Sequence, residues 1–290
     1  ARLGAKRAFI VSDEGVVAAG MVETVATILG AAGIAHSVYS GISSNPLESE
    51  VLSAAEAYRS AGCDLIIGLG GGSPLDVAKL VRVAVTHPGP LATYDDAVNG
   101  GDLIVNPLPA MIAIPTTAGT GSEVGRSGVL TIQATNRKTV IFAPSLIPNV
   151  AILDPVLTVA LPPRTTAATG MDALTHCIEA YCALGDHPMA DAIALEGVWL
   201  VAKHLNTAVH DGNDLAARGG MMKAAMMGAV AFQKGLGACH SLAHPLSSEK
   251  DMHHGLANAL CLPAVCDFNE SVAKERIDRV RRIFDPSADR

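Results

Sequence analysis

Of the chain's ten histidines, four, His240, His244, His253 and His254, fall within HSLAHPLSSEKDMHH (240–254). Imidazoles gathered this way can hold a metal, carry protons or decorate a solvated loop, and spacing alone does not choose among these. Upstream, GMDALTHCIEAY sets Asp172 and His176 four residues apart in a strongly helical stretch, so both project from one face one turn apart. A divalent cation could bridge them. An exposed carboxylate–histidine pair is the plainer reading of a lone DxxxH, but Ala, Met, Leu and Ile surround this one, and a buried carboxylate needs compensating charge. His240 and His244 are also four apart, yet Pro245 and the polar SSEKD predict that the chain loops before His254. A histidine from each side of that loop could meet Asp172 and His176. The resulting carboxylate with up to three neutral imidazoles suits Fe(II), Zn(II) or a similar ion.

Two other stretches suit phosphate. DLIIGLGGGSPLDVAKL runs from an apolar strand through glycines to a helix opening at Ser73 and Pro74, where backbone N–H groups and the helix dipole would face an anion. It lacks the GxGxxG spacing, so a tight strand-to-helix turn explains it equally well. IPTTAGTGSE (114–123) also follows a strand and offers small residues and hydroxyls. Two such loops at successive strand ends favour a nucleotide beyond the sheet.

These residues require a scaffold, and the chain's periodicities supply two. AFIVSD, IAHSVYS, DLIIGLG, PAMIAIP and NVAILD are strand candidates, with helical stretches such as VVAAGMVETVATILGAAG and PLESEVLSAAEAYRSAG between them. That alternation predicts an α/β domain with a mostly parallel sheet over 1–160. Beyond Asp154 and Pro155 the strand patterns stop. RTTAATGMDALTHCIEAYCA, MADAIALEGVWLVAKHLNTAV and DLAARGGMMKAAMMGAVAFQK each predict a buried helix, giving a helical domain over 161–290 that opens at LPPR.

Composition narrows the class. Hydrophobic residues make up 49% of 290, enough for sizeable cores, and the net charge of −7 with no like-charge block points away from nucleic acid and acidic membranes. Six cysteines without a CxxC pair fit reduced thiols in the cytoplasm. Neither an export signal nor a membrane span is evident, and the expected partner is a small molecule.

Taken together, GGGSPLDVAK, AIPTTAGTGSE, GMDALTHCIEAY and HSLAHPLSSEKDMHHGLANA resemble the iron-containing (group III) alcohol dehydrogenase family, in order along nearly the whole chain. The resemblance implies a dehydroquinate synthase-like architecture: an N-terminal dinucleotide-binding α/β domain, an all-α C-terminal domain and a divalent metal, usually iron, in the cleft between them. It implies hydride transfer between NAD(P) and primary alcohols, diols or hydroxy acids by a homo-oligomer. Metal ligands would fall on Asp172, His176, His240 and His254, the last because the family's ligand immediately precedes a glycine, here Gly255. His253 would be a bystander and His244 a proton carrier near the nicotinamide.

For the cofactor, the resemblance puts Asp13 and Asn45 near the adenosine ribose, Gly71, Gly72 and Ser73 at the pyrophosphate, Thr116 and Thr117 in the second loop, and Lys138 against the cofactor. A carboxylate at Asp13 would accept ribose hydroxyls and repel a 2′-phosphate, favouring NAD over NADP, although Asp13 could equally be a helix N-cap. Lys138 by its own pattern is a solvated surface lysine. Arg126 and Lys234 are expected to border the reacting carbon as cations, where an arginine could clamp the carboxylate of an ω-hydroxy acid; the plainer alternative pairs each with an acid or with solvent. Family members are longer, so a leading segment and final helices are expected beyond this chain. Competing readings are a glycerol dehydrogenase- or dehydroquinate synthase-like enzyme, the latter a lyase with no net redox change, and a nucleotide-binding protein without turnover.

Overall fold

A computed structural model describes residues 3–250, 252–285 and 287. The chain forms two compact units, Ala1–Thr116 with Ser122–Leu153, and Thr117–Gly121 with Asp154–Arg290.

The first unit is built on a parallel sheet of β1 (Arg7–Val11), β2 (Ala35–Tyr39), β3 (Leu65–Gly70), β4 (Ala110–Pro115) and β7 (Val150–Ala151), in the order β2-β1-β3-β4-β7. Helices α1 (Glu14–Ala18), α2 (Met21–Ala31), α3 (Glu48–Ser60) and α4 (Gly72–Thr86) make the crossovers. The single helical pattern expected over 16–33 is two helices, because Gly20 adopts a left-handed φ of 73° between them. Every residue of β3, LIIGLG, is buried, as a central parallel strand covered on both faces requires. Phe9 meets Tyr58 edge-on at 5.6 Å within the core. Strand order reverses between β1 and β3, and their C-terminal ends therefore border the crevice where ligands of open parallel sheets bind.

A separate antiparallel hairpin, β5 (Ser127–Ile132) with β6 (Arg137–Phe142), turns at Asn136, whose φ is 48°. The inner face of α4 is tied to the start of this hairpin by a buried polar cluster. Lys79 Nζ donates to Ser122 Oγ at 2.8 Å and to the Ser127 carbonyl at 2.7 Å, and lies 3.7 Å from Asp76 Oδ1. Asp76 accepts from Ser122 Oγ at 2.6 Å and from the Val129 N–H at 3.1 Å. Burial pushes Lys79 down and Asp76 up, and each is opposed chiefly by the other's charge.

The second unit is helical: α5 (Pro163–Cys182), α6 (Pro188–His210), α7 (Leu215–Ala231), α8 (Ala238–Lys250) and α9 (His254–Phe284). Its first turn, Pro155–Thr158, is capped by Asp154 and lies against α7, so these residues go with the helices ahead of the division expected at 160/161. The Arg218 guanidinium, buried on α7, is satisfied by the Thr166 hydroxyl at 2.7 Å and the carbonyls of Gly212, Val159 and Leu161. Trp199, the one tryptophan, sits on α6 at 44% exposure with the Lys203 ammonium 4.6 Å from its ring centre.

Candidate metal and nucleotide sites

Helix α5 carries Asp172, His176 and Glu179 on one buried face. Contrary to the loop expected after Pro245, α8 continues through that proline to Lys250, and among the described residues only Met252 and His253 are non-helical before α9. Proline removes one backbone donor and crowds the carbonyl four residues before it, which α8 accommodates without ending. His240 thus enters from the start of α8 and His254 from the first residue of α9.

The donor atoms of Asp172, His176 and His240 lie within 4.8 Å of one another, and all three residues are buried. His254 stands at the rim, its side chain 29% exposed and its Nε2 3.6 Å from Asp172 Oδ1. The imidazoles of His176 and His240 stack at 4.5 Å and 20°. His244 is exposed, with its ring 5.3 Å from that of His254 and 6.1 Å from that of His240. His253 is exposed at the N-cap of α9 and makes no cap hydrogen bond with its side chain. The residue after His254 must be small, since a Cβ on Gly255 would stand 2.0 Å from the Ala168 carbonyl oxygen of α5.

Two residues complete the nest that spacing did not point to. Asn258, fully buried one turn into α9, donates from Nδ2 to Asp172 Oδ1 at 2.8 Å and lies 3.3 Å from both His240 Nε2 and His254 Nε2. Glu179 holds His240 Nδ1 at 2.6 Å through its Oε2. Its position seven residues after Asp172 on the helix face was the available signal.

Burial opposes ionisation of Asp172, but the imidazoles of His176, His240 and His254 together hold its carboxyl well below the usual range. Burial pushes His176 down to about 4, so it is a neutral donor near pH 7. Burial also opposes protonation of His240, yet its hydrogen bonds to Asp172 and Glu179 prevail and raise it to about 9. Two ionised carboxylates around the imidazoles therefore favour positive charge. The donor set fits a divalent ion, and His176 Nδ1, buried without a hydrogen-bond partner among the described residues, is the kind of atom a cation satisfies.

In the first unit, the nucleotide candidates gather where the strand order reverses. Asp13 follows β1 and caps α1, accepting the Val16 N–H at 2.8 Å. Its other carboxylate oxygen would lie 3.4 Å from a Cβ on Gly70, a residue whose φ of 150° and closeness to Pro74 admit no side chain. Gly71 precedes α4, whose first turn contains Gly72 and Ser73, and Ser73 Oγ donates to the Ser44 carbonyl at 2.9 Å, tethering the segment that holds Asn45. The Thr116 N–H donates to the Gly70 carbonyl at 2.9 Å, so the second loop meets the first. Thr117 starts the 117–121 segment of the helical unit.

Two expectations change. Lys138, on β6, is partly buried rather than solvated; burial pushes its amine down, opposed by Asp76. Lys234 is no free cation at the reacting carbon: its ammonium is buried against Asp191 Oδ1 at 2.5 Å, an acid it shares with Arg276. The Arg126 guanidinium lies 4.4 Å over the Phe142 ring, within the first unit.

An open parallel sheet with a glycine turn at its switch point, and a helical unit enclosing a carboxylate–imidazole nest, define a class of proteins suited to a nucleotide and a divalent ion. Residues 1–155 match the family described as iron-containing alcohol dehydrogenase, and residues 166–289 the C-terminal part of the Fe-containing alcohol dehydrogenase family. The chain belongs to the iron-containing alcohol dehydrogenases, oxidoreductases acting on CH–OH donors. It is 44% identical to a 4-hydroxybutyrate dehydrogenase of Cupriavidus necator, over 97% of this chain and 75% of the relative. An NAD-dependent methanol dehydrogenase of Bacillus methanolicus is 35% identical over 98% of this chain and 74% of its own. The crystal structure of a 1,3-propanediol oxidoreductase superposes with a TM-score of 0.94 at 39% identity, covering 98% of this chain and 74% of that one. Among the described residues no helix is long and apolar enough to cross a membrane.

Proposed function

We propose that this protein is an NAD-dependent, divalent-metal-dependent alcohol dehydrogenase acting on a primary alcohol, diol or ω-hydroxy acid, or reducing the matching aldehyde. The observation that carries the reading is the buried nest of Asp172, His176 and His240 with an unsatisfied imidazole nitrogen facing no protein partner among the described residues. In this reading Asp172, His176, His240 and His254 hold Fe(II), or alternatively Zn(II). Bound there, the ion supplies Lewis-acid polarisation of the substrate oxygen, while the nicotinamide supplies the hydride acceptor.

The chain's own residues supply charge, orientation and proton traffic. Asp172 contributes the negative charge that a desolvated cation requires, and neutral His176 contributes a lone pair. His244, exposed beside the rings of His240 and His254, takes the substrate's hydroxyl proton at an imidazole nitrogen and releases it to solvent. For the cofactor, backbone N–H groups of Gly71, Gly72 and Ser73 at the α4 terminus bind the pyrophosphate. Asn45, Thr116, Thr117 and Lys138 line the remainder. The enzyme works as a homo-oligomer in the cytoplasm, a reducing compartment in keeping with six free thiols.

Asp13 selects NAD by accepting ribose hydroxyls and repelling a 2′-phosphate. Asp13→Gly should lower the NAD-over-NADP preference about 10- to 150-fold, the worth of a charged hydrogen bond, whereas glycine as the α1 N-cap costs only a few tenths of a kcal/mol. Titrating both cofactors against both proteins checks this; a wild-type preference for NADP overturns it.

Anaerobic reconstitution with Fe(II), then a panel of alcohols, diols and hydroxy acids with NAD, tests the function as a whole. Absence of steady NADH formation on every member would refute it. The 4-hydroxybutyrate dehydrogenase relative supports including ω-hydroxy acids, and Arg126 is the residue proposed to clamp their carboxylate. Comparing kcat/KM for 4-hydroxybutyrate and 1-butanol, Arg126→Ala should lose about 10- to 150-fold of any preference for the acid. Equal losses on both substrates would leave Arg126 as packing for Phe142.

A further inference from the structure

Glu179 has no part in the reading above, yet it is one of the most thoroughly engaged buried acids in the helical unit. Its Oε1 accepts the Cys239 N–H at 2.6 Å, and its Oε2 takes both the His240 N–H at 3.4 Å and His240 Nδ1 at 2.6 Å. The two backbone donors belong to the first turn of α8, where N–H groups lack intrahelical partners. A carboxylate from α5 thus caps α8 from outside it, and the same carboxylate grips the ring of a nest histidine in that turn.

The surroundings are built around this contact. Glu179 is 4% exposed. A Cβ on Gly237, just before α8, would stand 2.6 Å from Glu179 Oε1 and displace it. With Nδ1 donating to Glu179, His240 has one nitrogen left, Nε2, and that atom faces Asp172 Oδ1 at 3.7 Å. An imidazole whose far N–H is held by a carboxylate is fixed in both rotation and tautomer, and is a better donor at its other nitrogen.

We infer that Glu179 is the positioning residue of the nest: it orients His240 so that Nε2 is the metal-facing atom, and couples that orientation to the start of α8. The inference rests on the proposed metal site for its consequence, but not for its geometry.

Two readouts separate these. In metal-free protein, the short Glu179–His240 contact should give a far-downfield imidazole N–H proton signal, assigned by its loss in His240→Gln and absent in Glu179→Ala. In Co(II)-loaded protein, Glu179→Ala should bind the ion about 10- to 100-fold more weakly by chelator competition, with an altered visible absorption band. Glu179→Gln should fall between it and wild type, because an amide can accept from Nδ1 only by turning its NH2 towards the Cys239 N–H. Gly237→Ala, which displaces the carboxylate without removing it, should weaken Co(II) binding in the same direction and serves if Glu179→Ala fails to fold. Wild-type Co(II) affinity together with an unchanged N–H signal in folded Glu179→Ala would overturn the inference. Loss of the signal in that variant, with no Co(II) retained even by wild type, would uphold the positioning role and overturn the metal reading.

Discussion

Asp172→Ala is expected to yield folded protein that retains no divalent metal and loses turnover by at least about a thousandfold, matching the several kcal/mol that a Lewis acid contributes. The carboxylate is the one anionic donor in the trio with His176 and His240, and the side chain to which His240, His254 and Asn258 all converge. Without it, a cation would meet imidazoles in a buried setting with its charge uncompensated nearby, since Glu179 is already committed to His240 Nδ1. His254→Ala should also lose metal and activity. His253→Ala should change neither, because its side chain is exposed and lies outside the nest. Elemental analysis of the three variants decides the matter. Full metal content in His254→Ala, with loss in His253→Ala, would mean that the other histidine of the pair is the ligand.

The second large effect is on stability and arises in the α/β unit. Lys79→Met should destabilise it by about 3–5 kcal/mol, because Asp76 would remain buried with its principal compensating charge removed. The hydroxyl of Ser122 and the N–H of Val129 would still hold Asp76, but neither neutralises it. Combining Lys79→Met with Asp76→Leu should recover most of the loss, since both buried charges then disappear together. Urea unfolding measures both variants. A cost below about 1 kcal/mol for Lys79→Met alone would show that the pair is neutral in the native state.

The strands of the sheet were legible because each is a short apolar run bounded by turn residues, and β3, buried on both faces, was the clearest. NVAILD, read as a full strand, pairs over only Val150–Ala151, at the sheet edge beside β4, and runs into the turn capped by Asp154. The β5–β6 hairpin carries little signal because its turn residues, Gln133 to Asn136, lack the Asn-Gly signature. Helices α5 to α7 were plain from Ala and Met at helical spacing. In the nest, Asp172 and His176 share a helix face and could be read from spacing. Spacing offered a histidine from each side of the Pro245–SSEKD stretch, the choice of His240 and His254 is what the resemblance implies, and the structure brings both to within 3.7 Å and 3.6 Å of Asp172 Oδ1. Asn258 was illegible because a buried amide looks ordinary until the helices that bring it to His240 are known, whereas Glu179 had a signal in its place on the Asp172 face of α5 but no partner to give that place a meaning. Lys234 had two readings, a cation bordering the reacting carbon or the partner of an acid, and the structure has the second, through Asp191 and Arg276, both distant in sequence.

The lone Trp199 has an optical consequence. It belongs to α6, while three of the four tyrosines, Tyr39, Tyr58 and Tyr94, belong to the α/β unit. Red-edge excitation therefore illuminates the helical unit alone, and tyrosine absorbance reports mainly on the other. In Lys79→Met the lesion lies where the tyrosines are. A tyrosine transition that shifts to lower urea while the tryptophan emission stays put would reveal two independent melts, and a joint shift would reveal one cooperative event. The same cuvette thus distinguishes a local wound from a global one, with no label attached.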